Sequence, residues 1–437
     1  MEHTVARGCR ASRGCARCGR RGQRAQGGMA TMRRVVTGGL ASLVVFALLA
    51  PGLGAAPPAS VKLGGTLAVT GPFAAEWGPV YQQFMREWVR AVNDEGGIMV
   101  REVGRRLPVE MVLYDDESSA DKAVELYERL AAVDNVLMFF GPATSPITLR
   151  ASTVAERLRI PMVTMEANDR AIFARGFRYL FGTLAPGVWW TRYYFDLVRQ
   201  ANAEGARLRT AVFLYEDTAH TRDVTSGAIA YAREVGLTVA DQQVVPFGYS
   251  DFAAIIARWR TLNPDLVFLG LWTGPSIAYV RQARELGLRP RETYVRALAL
   301  PFVQGGGPAV EGVVGATYTA RRALDARSRK IFERMGRDPY DLPWVANRIV
   351  ALDVIQRAIE ATGRLDREAI AQTLRDPAFE VPTVIGRFKF SWDLKLAGST
   401  LNGHGNQTAY VAQIQGGKVT VVWPRELADA SYRRPGR

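Results

Sequence analysis

The chain has 437 residues, of which 48% are hydrophobic and 22% charged, and its formal net charge is +14. Residues 1–34 contribute nine arginines and one glutamate, so the rest of the chain carries a net charge of only +6. The three cysteines also lie in this segment, which leaves the remaining chain without disulfides or thiol chemistry. This moderate charge is weak evidence for nucleic acid, which we do not expect as a partner, and is compatible with the capture of anions.

The N-terminal region has the pattern of an export signal. A basic pair, Arg33 and Arg34, precedes an apolar run from Leu40 to Ala50, and the small residues from Gly52 to Ala56 follow it. Pro51 ends the apolar run before it is long enough to span a bilayer. We therefore expect residues 1–56 to comprise an N-terminal extension and a signal peptide that is removed on export.

The stretch from Leu67 to Gly78 (LAVTGPFAAEWG) is the most informative part of the chain that follows. An apolar strand enters a Thr70-Gly71-Pro72 turn and then a loop of small residues with one large aromatic, Trp77. A helical pattern follows at once, with apolar residues at Phe84, Trp88 and Val92. Because α/β proteins place ligands where a strand ends in a loop that opens a helix, this pattern predicts a binder of small molecules.

Strand-like and helix-like segments alternate along the rest of the chain. The predicted strands are Gly65–Thr70, Val109–Tyr114, Val136–Phe140, Pro161–Met165, Thr210–Tyr215, Val239–Phe247, Leu266–Trp272 and Val313–Tyr318. The predicted helices between them are Ala120–Val133, Ile147–Leu158, Trp189–Ala201, Thr225–Val235, Phe252–Leu262 and Pro275–Leu286. This alternation predicts parallel sheets, and its restart after the Leu184–Gly187 segment predicts two similar lobes.

An acidic run, Asp115-Asp116-Glu117, follows the second predicted strand and could suggest a metal or acid–base site. A helix is predicted to begin near Ser119, where carboxylates favour the free amides of the first turn. We therefore interpret the run as helix capping and expect no metal site and no cofactor.

The motifs occur in a characteristic order over the whole chain after the export signal. They are Thr70-Gly71-Pro72, Asn93–Ile98, Asp115–Ser118, Gly141–Ser145, Ile160–Thr164, Tyr249–Phe252, Asn263–Phe268, Thr383–Phe390 and Gln413–Pro424. This order resembles the type I periplasmic binding proteins, specifically the branched-chain amino-acid (Leu/Ile/Val) binding family of ABC importers.

The resemblance implies an α/β fold with two doubly wound parallel-sheet lobes joined by a three-strand hinge. Its implied segments are 61–185 and 316–385 for the first lobe, 186–315 and 386–424 for the second, and a basic tail at 425–437. It also implies a periplasmic, monomeric protein that closes on a small-molecule ligand and delivers it to an ABC permease in the membrane. A sensor that signals to a membrane receptor with the same clamshell is the alternative. A secreted hydrolase is less favoured, because no G-x-S-x-G motif is found.

The resemblance assigns ligand-binding roles to residues in the loops that follow the strands. They are Trp77, Thr144, Ser145, Glu166, Ala167, Asn168, His220 and Trp272. Ser145 would hold the ligand carboxylate, although the residues alone fit a helix N-cap equally well. Asn168 stands where the family has a threonine, and Glu166 is a departure whose carboxylate we expect to turn to solvent. His220 fits either a ligand contact or a surface histidine.

A second departure concerns the segment Val295–Pro301, where amino-acid binders of the family carry an acid for the ligand ammonium. The only charged residue in this segment is Arg296. A buried ammonium needs a carboxylate partner, so this segment argues against a standard amino acid. It favours an uncharged amide or an organic or aromatic acid.

Overall fold

The computed structural model describes residues 58–396 and 398–434, so the predicted signal peptide lies outside the described residues. The strands are β1 Val61–Leu67, β2 Ile98–Val100, β3 Arg105–Leu107, β4 Val109–Asp115, β5 Met138–Phe140, β6 Met162–Thr164, β7 Leu180–Leu184, β8 Thr210–Glu216, β9 Thr238–Val245, β10 Leu266–Gly270, β11 Glu292–Val295, β12 Val314–Thr317, β13 Val381–Thr383, β14 Gly386–Phe388, β15 Leu394–Leu396, β16 Ser399–Leu401, β17 His404–Gln407, β18 Tyr410–Gln415 and β19 Lys418–Trp423.

The helices are α1 Ala74–Trp77, α2 Pro79–Asp94, α3 Ala120–Ala132, α4 Ser145–Leu158, α5 Arg170–Phe173, α6 Arg192–Ala203, α7 Ala219–Glu234, α8 Ala253–Leu262, α9 Thr273–Glu285, α10 Leu300–Gly306, α11 Ala326–Met335, α12 Val345–Thr362 and α13 Arg367–Arg375. The six predicted helices are confirmed with shifted ends. The helix α12 was missed because it is buried on nearly every face and shows no amphipathic stripe. No helix within the described ranges is both long enough and apolar enough to cross a membrane.

Two sheets organise these elements. The first has the order β17-β7-β6-β5-β1-β4 and the second β19-β18-β12-β11-β10-β8-β9. In the first sheet Leu63 lies between Met111 and Met138 on parallel neighbours. In the second, only β18 and β19 run antiparallel to their neighbours. We call the elements built on each sheet the first and second lobe, and the predicted parallel-sheet α/β class is confirmed.

The chain changes sheet after β7, after β12 and between β17 and β18. The last change therefore falls between Gln407 and Tyr410, because β17 pairs with β7 of the first sheet. The prediction assigned all of residues 386–424 to the second lobe. That segment was therefore predicted to begin too early, because β17 still belongs to the first sheet. The short β17 has no apolar run of its own, and it is a strand only because its backbone pairs with β7. The other segment boundaries stay predictions.

The helix α2 confirms the periodicity of its sequence, since Phe84, Trp88 and Val92 are all buried in the core. The interpretation of the acidic run as helix capping is wrong. The cap of α3 is Ser119, whereas Asp115 accepts hydrogen bonds from the backbone of Val69 and Thr70. Asp116 accepts a hydrogen bond from the Thr66 hydroxyl of β1 (2.8 Å), and the pairing of β4 with β1 brings both aspartates to this strand end.

Candidate functional site

A small cavity of about 10 Å³, close to the space that one water molecule needs, lies where the carboxyl ends of strands from both sheets meet. The residues that line it are Trp77, Ala143, Thr144, Ser145, Glu166, Trp190, His220, Trp272, Arg296, Trp344 and Asn347. Six of the eight predicted site residues are therefore brought together. Asn168 lies directly behind two of them, and Ala167 is buried without lining the cavity. The predicted ligand roles stay predictions.

Ser145 is the first residue of α4, and its side chain does not cap that helix. Its Oγ accepts hydrogen bonds from the backbone amides of Asn168 (3.1 Å) and Asp169 (3.3 Å), so it joins two strand-end loops. The N-cap residue is Thr144, whose side chain makes no capping bond. The Thr144 hydroxyl is buried at the cavity wall and has no hydrogen-bond partner among the described residues. The helix-cap alternative for Ser145 is therefore wrong.

His220 is 4% exposed, so the alternative of a surface histidine is wrong. Its Nδ1 lies 2.9 Å from the Asn168 side-chain oxygen, and since that oxygen accepts, Nδ1 carries the proton. Burial, and secondarily the positive charge of Arg296, holds the pKa of His220 well below 6.5. His220 is therefore a neutral ring at pH 7. It belongs to α7 of the second lobe, so this contact joins the lobes.

Aromatic rings form most of the cavity wall. Trp77 ends the short helix α1 instead of lying in a loop, and its ring meets that of Trp272 edge-on at 5.6 Å. Trp190 contacts His220 at 5.0 Å between ring centroids and Trp344 at 5.6 Å. Sequence reasoning missed Trp344, which precedes α12 and reaches the cavity only because this helix packs against the first sheet.

Arg296 carries a buried charge. Sequence reasoning named it only as the one charged residue of a segment without an acid, and predicted no role for it in the site. Its guanidinium lies 4.2 Å above the ring of Trp272 and forms an ion pair with Glu76, the residue before Trp77. The same Glu76 oxygen accepts hydrogen bonds from the backbone amide (3.1 Å) and hydroxyl (2.6 Å) of Thr273 at the start of α9. A carboxylate of the first lobe thus binds three donors of the second lobe.

Glu166 forms a second buried ion pair, with Arg348 of α12, so the expectation that its side chain turns to solvent is wrong. Arg348 also stacks on the ring of Tyr81 at 3.9 Å. Burial raises the pKa of Glu166, and the Arg348 charge opposes this effect. Asn347, the residue before Arg348, lines the cavity, and its side-chain amide has no hydrogen-bond partner among the described residues.

These two pairs change the argument about ligand charge. The segment Val295–Pro301 has no acid, yet Glu76 and Glu166 bring two carboxylates to the site from elsewhere. Each is already paired with an arginine. The charge of each carboxylate is therefore already balanced, although Glu76 Oε2 and Glu166 Oε2 have no hydrogen-bond partner among the described residues.

Two lobes built on mainly parallel sheets, with aromatic and polar side chains gathered where their strand ends meet, have the architecture of a two-lobed binding protein. A sequence model described as "periplasmic binding protein" matches residues 60–418 of the chain, which therefore belongs to the periplasmic binding protein family. The family resemblance inferred from the motifs is confirmed.

Known relatives agree with this membership. A leucine-, isoleucine-, valine-, threonine- and alanine-binding protein of Pseudomonas aeruginosa is 25% identical over 340 residues, which cover 77% of this chain and 87% of that protein. A solved leucine-binding protein of Thermotoga maritima has a TM-score of 0.66 and 22% identity, covering 83% of this chain and 97% of its own. A solute-binding protein of an R. palustris ABC transporter, solved with benzoate, has a TM-score of 0.66 and 20% identity and covers 86% and 99%. The type I periplasmic binding fold is thereby confirmed.

Proposed function

We propose that this chain is the periplasmic solute-binding component of an ABC importer. It takes a small solute with an apolar or aromatic body and a carboxylate or carboxamide group between its two lobes. Closure of the lobes about the connecting strands holds the solute, and the closed form delivers it to a membrane permease.

The single observation that carries this proposal is the pair of unpartnered polar groups beside an aromatic wall. The Thr144 hydroxyl lines the cavity, and the Asn168 side-chain nitrogen lies behind Ser145 and His220; both are buried without a partner among the described residues. Buried donors without a partner cost free energy, so a ligand oxygen that accepts from them gains affinity. Tryptophan rings around these donors favour a flat or apolar body.

The class of ligand follows from charge as well as shape. An amino acid would bring an ammonium group, for which the described wall has no uncommitted carboxylate. The relatives fit both possibilities, since the Pseudomonas aeruginosa protein is named for amino acids and the R. palustris structure holds benzoate. A carboxylate or carboxamide without an ammonium is the class that the wall supports best.

The ligand class is tested by thermal unfolding with matched compounds that differ only in the ammonium group. Leucine is compared with 4-methylpentanoate, and phenylalanine with 3-phenylpropanoate, alongside benzoate and benzamide. A ligand at about 100 times its Kd raises the unfolding free energy by roughly 2.7 kcal/mol. We expect shifts for the deaminated compounds. Shifts for the amino acids alone would overturn the ligand class, and turnover of any compound would overturn the binding function.

The role of the donors is tested by Thr144→Val, measured by titration calorimetry with the compound that gives the largest shift. The loss of a hydrogen bond to a charged or polar oxygen should weaken binding by about 1–3 kcal/mol, which is roughly 5- to 150-fold. The unfolding free energy should stay unchanged or rise, because the hydroxyl has no partner to lose. Thr153→Val on the exposed face of the same helix is the control. Equal affinities for both variants would remove Thr144 from the site.

The importer role is tested in cells that lack the gene. Uptake of the labelled compound should be lost and should return with the wild-type gene. Intact uptake together with loss of a transcriptional or chemotactic response would identify a sensor instead.

A further inference from the structure

We propose that Arg296 and Thr273 form a second, anionic subsite of the cleft. Glu76 fills this subsite in the structure described here, and a carboxylate of the ligand takes its place when Glu76 is displaced. This inference rests on the proposed function for the position of the cleft. It adds that the preferred solute carries an acidic group at each end, one toward Ser145 and one toward Arg296.

The hydrogen bonds that Glu76 accepts show which chemical group the subsite binds. Three donors converge on one Glu76 oxygen, namely the Arg296 guanidinium, the Thr273 backbone amide at 3.1 Å and the Thr273 hydroxyl at 2.6 Å. A guanidinium and the first amide of a 13-residue helix favour an anion. A carboxamide oxygen could also accept from these donors, so it is the charge of the Arg296 guanidinium that favours a carboxylate.

Arg296 is held in place independently of Glu76. Its Nε donates to the carbonyl of Leu271 at 3.3 Å, and its guanidinium stacks on the rings of Trp272 and Trp344. It is 1% exposed and lines the cavity directly. A buried guanidinium without an anion costs several kcal/mol, so the subsite is occupied either by Glu76 or by a ligand group.

Glu76 has somewhere to go when it is displaced. It also borders a second pocket, together with Pro79, Tyr81, Pro301, Arg337 and Asp341. The exchange replaces one carboxylate on Arg296 with another and moves the first toward this second pocket. No charge is therefore newly buried without a partner, and the exchange costs far less than binding an anion beside an occupied site.

The alternative is that Glu76 serves only as a latch between the lobes. The two roles predict effects of opposite sign for Glu76→Gln, which keeps an oxygen for Thr273 and removes the charge. If Glu76 competes with the ligand, the variant binds a two-ended acid more tightly. If Glu76 is only a latch, the variant loosens the closed form and binds every ligand more weakly.

The test uses terephthalate and benzoate, which share a ring and differ by one carboxylate, and measures their affinities by titration calorimetry. We expect the affinity for terephthalate, relative to benzoate, to rise about tenfold in Glu76→Gln. If Glu76 occupies the subsite in about nine wild-type molecules of ten, removing this competition is enough to produce that change. The gain should be absent in Glu76→Gln/Arg296→Met and in Glu87→Gln, a control on the next helix. An unchanged or lower ratio would overturn the subsite.

A second measurement separates this inference from the proposed function. If no variant binds either acid, the proposed ligand class fails, and the subsite is then judged by chemical rescue of Glu76→Ala. We expect acetate, but not acetamide, to raise the unfolding temperature of Glu76→Ala, and to leave the wild type and Glu76→Ala/Arg296→Met unchanged. Equal effects of acetate on all three proteins would overturn the subsite.

Discussion

Single residues in the cavity wall keep their charges in balance. Arg296 and Glu166 line the cavity, and each is paired with a buried residue that does not line it, Glu76 and Arg348 respectively. Such pairs gain little net stability, but the loss of one partner leaves a buried charge and costs about 3–5 kcal/mol. His220 avoids this cost by staying neutral, because burial and the charge of Arg296 lower its pKa.

The depressed pKa of His220 predicts a pH dependence of stability. In the unfolded chain the histidine takes up a proton as pH falls below about 6.5, whereas the folded protein does not. The unfolded state therefore binds more protons, and the unfolding free energy falls as pH decreases below 6.5. Relative to His220→Gln, the wild type should lose up to roughly 1.4 kcal/mol per pH unit between about pH 6.5 and 5.

Denaturant unfolding of both proteins at several pH values checks this prediction. Burial raises the pKa of Asp116 and of Asp169 to about 6, which gives the opposite slope between about pH 4 and 6. Both carboxyls are present in the wild type and the variant, so the difference between the two proteins isolates His220. Parallel curves would show that His220 titrates normally.

At the scale of elements, the position of α7 depends on a close approach of two backbones. A Cβ atom at Gly227 would lie 2.0 Å from the carbonyl oxygen of Val188, in the segment that leads into α6. The helix could make room only by moving, and with it would move His220 in its first turn. Gly227→Ala should lower the unfolding free energy by about 1–3 kcal/mol and weaken ligand binding as well.

Gly274→Ala is the matched control, because a Cβ atom at this position in α9 meets no atom within 4 Å. It should leave stability unchanged or raise it by up to about 1 kcal/mol, since alanine favours a helix over glycine. Urea unfolding of both variants provides the comparison. Equal effects of the two substitutions would mean that α7 has room to shift freely.

At the scale of the whole molecule, several polar contacts join the two lobes directly. Besides the contact of Asn168 with His220, Arg170 of α5 binds Asp223 of α7 at 2.5 Å, and Asp223 is 5% exposed. Arg170→Gln should leave Asp223 buried without its partner in the closed form. The open form hydrates that carboxylate, so the equilibrium should move toward opening.

The measurement is the dissociation rate of the carboxylate with the largest thermal shift, followed by stopped-flow fluorescence of the cavity tryptophans. We expect Arg170→Gln to release it about ten times faster or more, because closure becomes less favourable. Arg222→Gln breaks an exposed ion pair with Asp217 inside one lobe and should change the rate little. Similar rates for both variants would show that the contact with Asp223 does not support closure.

Sequence alone predicted the parallel-sheet fold and most of the loops at the site. An apolar strand that ends in a loop and opens a helix is a local pattern, and the ends of parallel strands meet at one edge of a sheet. Ser145 and Trp272 follow strands in this way, and both line the cavity. This local rule also placed Glu166 in the right loop, although it gave no partner for its side chain.

Only the tertiary structure decided the electrostatics of the cleft. Glu76 and Arg296 are 220 positions apart, and Glu166 and Arg348 are 182 positions apart, so no local pattern joins them. Trp344 reaches the wall because α12 returns to the first sheet late in the chain. The sequence by itself determined which loops surround the cleft, because strand and helix periodicity act over a few residues. Packing between distant elements decided which charges meet there, because burial forces each charge to find a partner wherever the fold supplies one.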